Sequence, residues 1–436
     1  MPKQTDVTKI ANCVAELMLY AEKKLSLNPD DGVYVGLYSR HNLGAQQKRY
    51  VDLYFSHKNN FSVTDCDFFS SSGRIEVLGN HTDHNNGKVL AAAISLDTLA
   101  CVTKTDDNYI KILSGGYPIF IVNVDKVLAS EKERGTSVAL VKGVCNWFKE
   151  NDYKVGGFVA TMVSDVIKGA GVSSSASFEV LIAEILNVLY NDGKMTAIEK
   201  AVASQYAEYF YFGKPCGLLD QSAIALGDVS YIDFKDPLKM QVKNYDLPFD
   251  DLDIVIVNAG GDHSDLTANY AAIRSEMEEV AGLFGKKVLR EVDEEEFYAS
   301  IKDLKQKVSG RAILRAMHFF EENKRVEDAV KALEKADEAA FLKAVNDSGE
   351  SSYKMLQNCY PENDKVQSVP LALAVVKRRP EVKACRIHGG GFAGTIICFV
   401  EKSGSERFIE AIKPVFGENN IFNLAIRKVG ATKIDF

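Results

Sequence analysis

The sequence lacks the features that mark membrane, nucleic-acid-binding and disulfide-linked proteins. Its eight cysteines are scattered and none forms a CxxC pair, which argues against a zinc site or a disulfide framework and fits a reducing cytosol. The longest apolar runs, such as Ile254 to Val257, are too short to span a bilayer. The formal net charge of -8 is spread without a long run of either sign, so neither nucleic acid nor an anionic membrane is expected as the main partner. These absences predict a cytoplasmic protein, and they leave its oligomeric state open.

What the sequence does contain is enough apolar surface for a large core. Hydrophobic residues make up 46% of the 436 residues and charged residues 26%, a profile typical of a packed protein rather than a disordered one. At roughly 150 residues per domain, this length predicts two or three domains. Two large lobes are the simplest arrangement, and we assign them to residues 1–230 and 231–436, with the boundary expected between residues 225 and 250.

Strands and helices are predicted in both halves of the chain, which indicates an α+β fold. Apolar residues that alternate or cluster between Asn, Asp and Gly predict short strands at Tyr50–Phe55, Phe61–Phe69, Gly73–Leu78, Leu90–Ala93, Leu99–Thr103 and Tyr109–Val122. Periodicity predicts a buried strand at Leu252–Asn258 and helices at Ile10–Leu25, Thr136–Asn151, Ser174–Tyr190, Ala197–Phe212 and Leu266–Phe284. Residues 320–348 are rich in Glu, Lys and Ala at helical period, and we interpret their charges as a solvated helix face.

A glycine and serine segment precedes the helix predicted at Ser174. Residues 168–176 read KGAGVSSSA, and their glycines allow the backbone to pass close to an anion. The free N–H groups of the first helical turn and the positive end of the helix dipole face the same position, so a phosphate chain is the expected ligand. A serine N-cap after a turn would explain one serine, but not two glycines and three consecutive serines. Neither GxxxxGK[ST] nor a GxGxxG after a strand occurs, which excludes the Walker and Rossmann phosphate sites.

Three segments resemble motifs of the GHMP kinases, and most closely those of the galactokinase branch. The loop GAGVSSSAS at residues 169–177 is similar to the central motif of this superfamily. GRIEVLGNHTDHNNG at residues 73–87 resembles the galactokinase signature, and HGGGFAG at residues 388–394 resembles the glycine-rich third motif. Their agreement in order and place argues against a chance match. The resemblance implies a two-lobed architecture, with ATP, Mg²⁺ and a sugar in the cleft between the lobes.

The resemblance assigns the catalytic pair to Asp220 and Arg74. Asp220 lies in the segment Gly217–Gln221, where galactokinases carry their catalytic Asp, and it would act as general base or orient the anomeric hydroxyl. Arg74 occupies the family's catalytic arginine position, where a guanidinium would lower the pKa of the base and offset charge on the moving phosphoryl group. Outside this motif, Arg74 would be interpreted as a surface arginine in a turn.

The same resemblance implies the nucleotide and metal contacts. ATP would bind at Gly169, Ala170, Gly171, Val172, Ser173, Ser174 and Ser175. Mg²⁺ needs few protein oxygen ligands beside the ATP phosphates, and the resemblance assigns them to the hydroxyl of Ser175 and the carboxylate of Glu208. The alternative for Glu208 is an exposed helix position beside Ala207 and Tyr209.

For the sugar, the Glu-His-Thr-Asp run of galactokinases corresponds to Asn80, His81, Thr82 and Asp83. Asp83 would hold ring hydroxyls, Tyr270 would contact the sugar from across the cleft, and the amides near Gly217 would reach the ring. His81, Asp83 and His84 are alternatively interpreted as metal ligands. Their spacing is too tight for a helix pair and no third cluster completes such a site, which argues against that alternative.

The sugar signature departs from the family where an acid and an amide are exchanged. Asn80 stands where the family has a Glu expected to hold the C6 hydroxyl, and Glu76 stands where an Asn is usual. An amide still hydrogen-bonds a hydroxyl but does not repel a carboxylate, so galacturonate and N-acetylgalactosamine are alternative substrates. Ala393 in place of a Gly and His84 in place of a Tyr are milder changes.

The sequence therefore predicts an ATP-dependent sugar 1-kinase, with galactose as the first candidate substrate. Some relatives of galactokinase are transcriptional regulators, so a non-catalytic sensor of sugar and ATP is the alternative from a different class. The presence of Arg74, Glu208 and Asp220 with an uninterrupted phosphate loop argues against a sensor. A GHMP kinase for a non-sugar alcohol is a third hypothesis, which the run at residues 80–83 disfavours.

Overall fold

Two β-sheets with helices packed against them form the fold of the computed structural model, which describes residues 36–38, 43–63, 65–166, 171–236, 239–261, 266–392 and 394–434. The α+β class predicted from the sequence is confirmed. Across these ranges, no helix combines the length and apolar character that a membrane crossing requires. The helix predicted at Ile10–Leu25 lies outside the described residues.

The strands of the described residues are β1 Asp67–Leu78, β2 Lys88–Lys104, β3 Tyr109–Ser114, β4 Phe120–Asn123, β5 Phe158–Ser164, β6 Val229–Asp233, β7 Gln241–Tyr245, β8 Leu252–Asn258, β9 Val382–Ile387, β10 Thr395–Glu401, β11 Ile421–Leu424 and β12 Thr432–Ile434. The α-helices are α1 Leu43–Phe61, α2 Ser137–Glu150, α3 Ser174–Asn191, α4 Ala197–Tyr206, α5 Leu219–Leu226, α6 Thr267–Leu283, α7 Glu294–Ala299, α8 Ile301–Leu304, α9 Gly310–Glu334, α10 Glu338–Ser351, α11 Ser368–Val376 and α12 Ser405–Phe416. Two π-helical segments, Ala207–Phe212 and Ser352–Leu356, extend α4 and α10.

The larger sheet runs in the order β12-β1-β2-β5-β3-β4, while β6 pairs with the other end of β2 and carries β7. The smaller sheet runs β11-β8-β10-β9 and is antiparallel throughout. The predicted boundary between residues 230 and 231 falls inside β6, and β7 and β12 extend the same sheet. The first sheet therefore extends past residue 230 to β7, and the chain returns to it through β12, while the division into two lobes stays a prediction.

One apolar core joins the two sheets through α9 and α10. Ile75 on β1, Val326 on α9, Phe341 on α10 and Phe399 on β10 belong to the same buried cluster. Each such side chain contributes roughly 1.5–3 kcal/mol through burial. Because α9 crosses behind β1 and β2, it lies directly against the turn that joins these strands, residues 79–87. We call this the signature turn, since it carries the predicted sugar-binding residues 80–83.

Most of the predicted elements are confirmed, but the strand predicted at Phe61–Phe69 begins only at Asp67, and the strands predicted at Leu90–Ala93 and Leu99–Thr103 are one strand, β2. The helix predicted at Thr136–Asn151 is α2, and Thr136 caps it by accepting a hydrogen bond from the Ala139 N–H at 3.3 Å. The strand predicted at Leu252–Asn258 is β8. The strand predicted at Tyr50–Phe55 is wrong, because these residues lie in α1, where Tyr50 packs against Phe68 of β1.

The interpretation of residues 320–348 as a solvated helix face is wrong in part. The helices α9 and α10 are present, but the Glu322 side chain is completely buried. It accepts a hydrogen bond from the backbone N–H of Gly79 at 2.9 Å. A charge in this helix therefore supports the sugar signature instead of facing solvent.

Candidate active site

A guanidinium and a carboxylate from distant parts of the chain meet beside the start of α3. Arg74 is on β1 and Asp220 is in the first turn of α5, and Arg74 Nε donates to Asp220 Oδ1 at 2.7 Å. Arg74 Nη1 also donates to the Gly171 carbonyl at 2.5 Å. The Ser173 hydroxyl donates to the other carboxylate oxygen, Asp220 Oδ2. The predicted catalytic pair is therefore in direct contact, and both oxygens of the carboxylate are held.

The Asp220 carboxylate is accessible, whereas its partner is not. The Asp220 side chain is 31% exposed and the Arg74 side chain 6%. Burial raises the pKa of Asp220, but the Arg74 guanidinium, the Ser173 hydroxyl and the Lys214 ammonium outweigh it and hold this pKa below its ordinary value. The group is therefore ionised at neutral pH.

The described part of the loop before α3 is held close to β1 and β10. Gly171 and Ser173 have φ angles of 67° and 66°, which are uncommon for a residue with a side chain. A Cβ at Gly171 would overlap the Thr395 side chain, so the close approach there requires glycine. The Val172 carbonyl accepts a hydrogen bond from the Arg74 N–H at 3.2 Å and ties the loop to β1.

The first turn of α3 offers unpaired backbone donors beside Asp220. Ser174 and Ser175 open the helix, and its first backbone bond runs from the Ser177 N–H to the Ser173 carbonyl at 3.0 Å. The N–H groups before that bond are available to an anion. Gly169 and Ala170, which complete the predicted ATP loop, lie outside the described residues.

The hydroxyl and carboxylate predicted to hold a metal ion are hydrogen-bonded to each other. Ser175 Oγ donates to Glu208 Oε1 at 2.7 Å, and Lys214 Nζ lies 2.9 Å from the same oxygen. Gln221 Nε2 donates to Glu208 Oε2 at 2.7 Å. The Glu208 side chain is 1% exposed, so its alternative interpretation as an exposed helix residue is wrong. Its oxygens are the hard donors that Mg²⁺ prefers, and the residues present fit that ion.

A second carboxylate lies behind Glu208. Glu179 on α3 is completely buried, and its Oε2 accepts a hydrogen bond from Gln221 Nε2 at 3.3 Å. Burial first, and then the charge of Glu208, hold the pKa of Glu179 well above its ordinary value. Its burial and the neighbouring Glu208 carboxylate therefore both favour the neutral form of Glu179.

The Asp83 carboxylate lies against the segment that carries Asp220. Its Oδ1 accepts a hydrogen bond from the His84 N–H at 2.9 Å, and its Oδ2 accepts one from the Leu219 N–H at 3.3 Å. Gly217 leaves no room for a Cβ, which would overlap Asp83. Burial raises the pKa of Asp83 and the charge of Asp220 adds to this, although His81 opposes it. Asp83 and Asp220 are therefore close enough for the charge of Asp220 to raise the pKa of Asp83.

Two members of the predicted sugar set are buried and occupied by protein contacts. Asn80 has no exposed surface; its Nδ2 donates to Glu76 Oε1 and to the Gly389 carbonyl, both at 2.8 Å, and its Oδ1 accepts from Asn358 at 2.7 Å. Thr82 is also buried, and its hydroxyl donates to backbone carbonyls of the same turn. A sugar hydroxyl would have to displace one of these bonds, so sugar binding by Asn80 stays a prediction that its burial does not favour.

The other two predicted sugar-binding residues, His81 and Tyr270, contact the third motif. His81 Nε2 lies 2.8 Å from the Gly390 carbonyl, and the Tyr270 hydroxyl donates to the Gly391 carbonyl at 3.1 Å. The Tyr270 ring also packs edge-on against Phe392. In the described part of the chain, no three His, Cys, Asp or Glu residues are arranged to hold a metal ion, so nothing supports the metal-ligand interpretation of the sugar signature. Ala393 of the third motif lies outside the described residues.

Comparison with known proteins identifies the family to which these motifs belong. The galactokinase galactose-binding signature matches residues 56–104, and the GHMP kinases N terminal domain matches residues 139–228. The galactokinase of Homo sapiens is 32% identical over 83% of this chain and 91% of its own length. That of Clostridium tetani is also 32% identical, over 78% of this chain and 85% of its own length. The chain belongs to the galactokinase family.

Solved structures agree with this assignment. The galactokinase of Lactococcus lactis complexed with galactose matches with a TM-score of 0.76 at 25% identity, over 90% of this chain and all of its own. The mevalonate kinase of Methanococcus jannaschii matches with a TM-score of 0.60 at 14% identity, over 83% of this chain and 98% of its own, and shows a common fold. The family recognised from three sequence motifs is therefore confirmed, and this galactokinase-family chain is a kinase.

The two departures from the galactokinase signature contact each other. Glu76 Oε1 accepts hydrogen bonds from Asn80 Nδ2 at 2.8 Å and from Arg386 Nη2 at 2.9 Å. The Glu76 N–H donates to His388 Nε2 at 3.0 Å. Burial raises the pKa of Glu76 although Arg386 opposes it. Positions 76 and 80 therefore still hold one carboxylate and one amide, but the carboxylate is at position 76, where it accepts a hydrogen bond from Arg386.

Sequence reasoning missed a charged network that holds the galactokinase signature from behind. We call His318, Glu322, Arg325 and Ser351 the support network. Arg325 Nη2 donates to Ser351 Oγ at 2.7 Å, Ser351 Oγ lies 2.8 Å from His318 Nδ1, and His318 Nε2 lies 2.9 Å from the Asn80 carbonyl. Since a carbonyl only accepts, His318 carries its proton on Nε2 and receives the Ser351 hydroxyl at Nδ1.

A helical signal for this network is present in the sequence. Glu322 shares one face of α9 with Val326 and Ala329, four and seven residues on, and both are buried. A charge in line with an apolar stripe predicts a buried, paired acid more readily than a solvated one. The partner of Glu322 could not be read from this pattern, because Gly79 is 243 residues away in sequence.

Proposed function

We propose that this chain transfers the γ-phosphoryl group of ATP to the anomeric hydroxyl of galactose. The observation that carries the proposal is the Asp220 carboxylate, held by Arg74 and Ser173 at the start of α3. In the transfer, the sugar oxygen forms a bond to the γ-phosphorus, and the bond from that phosphorus to the bridging oxygen of ATP breaks. The hydroxyl proton passes to Asp220, and the products are galactose 1-phosphate and ADP.

Asp220 orients the anomeric hydroxyl and accepts its proton. A carboxylate whose pKa is held low is a weak base in the ground state, so it gains the proton only as the oxygen bonds to phosphorus. Arg74 stabilises this carboxylate and offsets negative charge on the moving phosphoryl group. Both residues act on the transition state more than on sugar binding.

The nucleotide binds at the loop of residues 169–175, with its phosphates on the free amides that open α3. Ser175 and Glu208 would hold Mg²⁺, and the bound ion supplies charge neutralisation for the phosphates. Glu179 and Gln221 fix the orientation of the Glu208 carboxylate from behind.

The sugar lies between Asp83, the amides near Gly217, His81 and Tyr270. Asp83 retains acceptor capacity beyond its two backbone bonds, because an ionised carboxylate offers about four lone-pair sites. Asn80 and Thr82 hold the shape of the signature turn. These groups come from the larger sheet on one side and from α6 and the third motif on the other, and we propose that this is the cleft between the two lobes.

The test is a coupled assay of ADP release over galactose, N-acetylgalactosamine, galacturonate, glucose and arabinose. Galactose is expected to give the highest kcat/KM. Absence of sugar-dependent ADP release with every sugar would contradict the kinase and favour a sensor. A preference for galacturonate would contradict galactose, and Asn80→Glu would then show whether the missing charge at that position is the cause, by restoring or not restoring the preference for galactose.

A further inference from the structure

Lys214 forms an ion pair with Glu208, the carboxylate that the proposed function assigns to the metal ion. Lys214 Nζ lies 2.9 Å from Glu208 Oε1, the oxygen that also accepts the Ser175 hydroxyl. The Lys214 side chain is 53% exposed and the Glu208 side chain 1%. An ammonium has three donors, and among the described residues Glu208 supplies its one hydrogen-bond partner. Lys214 therefore reaches from the open side of the site onto a buried acid and keeps donors free.

The backbone holds Lys214 at this place. The N–H groups of Gly213 and Lys214 both donate to the Glu208 carbonyl, at 3.1 Å each, where the π-helical segment Ala207–Phe212 ends. Gly213 turns the chain with a φ of 84°. The lysine is thus tied to the residue whose carboxylate it neutralises, while its four-carbon side chain keeps its freedom of rotation.

This ion pair differs from the surface pairs of the molecule. In the pair Lys194–Asp192, the side chains are 74% and 81% exposed, and such pairs contribute little. Glu208 is buried next to Glu179, and a buried carboxylate requires a compensating charge. Lys214 supplies that charge in the absence of a metal ion.

The field of Lys214 extends over the position of phosphoryl transfer. Its ammonium helps to lower the pKa of Asp220 and opposes the rise in the pKa of Tyr270 that burial causes. A divalent ion on Glu208 would repel an ammonium that shares the same oxygen. The ATP phosphates, which the proposed function places beside Ser175, are anions that could accept the hydrogen bonds of a displaced ammonium.

We propose that Lys214 is a phosphate-binding residue that neutralises Glu208 in the free enzyme and transfers its hydrogen bonds to the ATP phosphates when a divalent cation binds Glu208. This inference rests on the proposed function, because it takes Glu208 as the metal ligand. It adds a second cation to the phosphate site beside Arg74, and it predicts that metal binding and nucleotide binding are coupled through one side chain.

The experiment measures binding rather than turnover, on the full chain. Lys214→Met removes the charge and keeps an unbranched side chain one atom shorter, Lys214→Arg keeps a cation, and Lys194→Met is the control at an exposed ion pair. Isothermal titration gives the Kd of ATP with excess Mg²⁺, and Mn²⁺ electron paramagnetic resonance gives the Kd of the metal alone. Circular dichroism melts check that each variant is folded.

Lys214→Met is expected to weaken ATP binding by about tenfold or more, the loss of one charge-assisted hydrogen bond. It is also expected to bind Mn²⁺ alone more tightly than the wild-type protein, because a competitor for Glu208 is gone. Lys214→Arg and Lys194→Met should bind ATP like the wild type. An ATP affinity of Lys214→Met within about twofold of wild type, or weaker Mn²⁺ binding, would overturn the inference and leave the proposed function standing. A wild-type protein that neither binds ATP nor releases ADP with any sugar would overturn both.

Discussion

The proposed active site and the support network are both built from charged side chains, but they differ in exposure and in the partners they hold. In the active site, Asp220 is 31% exposed and Lys214 53%, and each faces open space. In the support network, the side chains of His318 and Glu322 have no exposed surface, and their partners are backbone groups of the signature turn and neighbouring side chains.

The difference in exposure divides two tasks between two sets of charges. An exposed, held carboxylate can exchange its solvent contacts for substrate, which is what a catalytic group requires. A buried and fully paired charge loses stability if any partner leaves, so it fixes position instead. The support network holds the turn at Gly79 and Asn80, four and three residues before Asp83, and it thereby helps to fix the position of this proposed sugar-binding carboxylate.

The largest expected effect is on catalysis with little change in stability. Asp220→Asn keeps the shape of the side chain and an oxygen for Arg74 Nε, but it cannot accept a proton. We expect kcat to fall about a thousandfold, within the range for a general base, while the KM for the sugar changes little. Steady-state kinetics with coupled ADP detection measure both constants.

The result of Asp220→Asn tests whether the exposed half of the comparison is catalytic. A thermal midpoint close to that of the wild type is part of the expectation, since Asp220 is accessible to water. A loss of kcat below about tenfold would show that proton transfer to Asp220 contributes little, and Arg74 would then be the main stabilising group.

In the support network, the main effect is expected on stability. Glu322→Ala removes the acceptor of the Gly79 N–H and of the Ser348 hydroxyl and leaves Arg325 without its buried partner. Breaking a buried pair in this way is expected to lower the free energy of unfolding by about 3–5 kcal/mol. Glu321→Ala is the matched control, because Glu321 is partly exposed and binds the same arginine at 3.1 Å.

Urea denaturation of the two variants separates burial from charge. We expect a large shift of the midpoint for Glu322→Ala and a loss of about 0–1 kcal/mol for Glu321→Ala. Equal effects of the two changes would show that the pairing of Arg325, and not the burial of Glu322, stabilises this region.

The two halves also differ in how far the sequence predicts them. The active-site residues lie in short segments of unusual composition, such as GAGVSSSAS, where glycine and serine by themselves indicate a phosphate site. The contact of Arg74 with Asp220, 146 residues apart, follows from the family resemblance and not from local pattern. That resemblance could not show that Asn80 is buried, because the burial depends on Asn358 and Gly389 packing over it.

Three residues of the support network lie in α9, a helix of ordinary composition, and Ser351 is the last residue of α10. Glu and Arg at helical spacing are typical of a solvated face, and the burial of Glu322 is decided by the way α9 crosses behind β1 and β2. The strand predicted at Tyr50–Phe55 fails for a related reason. Aromatic residues favour strands locally, but packing of Tyr50 against Phe68 overrides this preference.

A smaller effect is expected from pH, through His318. Burial lowers its pKa to about 4, although Glu322 opposes this, while the unfolded chain titrates near 6.5. Between pH 6.5 and 4 the unfolded state therefore binds the proton that the folded state does not, so stability falls as the pH falls through this window, by up to about 3 kcal/mol. Burial tends to raise the pKa of Glu322, but Arg325 and His318 outweigh it and lower this pKa to about 2, so Glu322 stays ionised throughout.

His318→Gln isolates this contribution, since an amide can still donate to the Asn80 carbonyl but does not titrate. Denaturation curves at pH 7, 6, 5 and 4 should show a steeper loss of stability for the wild type than for the variant. The other buried histidines are present in both proteins and cancel in the difference. Parallel pH dependences would mean that His318 is protonated in the folded state, and the network would then be a charged switch and not a fixed support.

The smallest expected effect lies where the two regions meet, at Gly217. A Cβ here would overlap the Asp83 carboxylate, so Gly217→Ala must turn that side chain away from the proposed sugar position. We expect the KM for galactose to rise about tenfold with a smaller change in kcat, as for the loss of one substrate hydrogen bond. Gly282→Ala is the control, because Gly282 lies in α6 with no atom near its missing Cβ.

If the support network fixes the far end of the signature turn, the change at Gly217 moves Asp83 alone and the unfolding free energy stays near that of the wild type. A fall in stability with an unchanged KM would instead make Asp83 a part of the support, and the boundary between the exposed and the buried charges would run between Asp83 and Asp220.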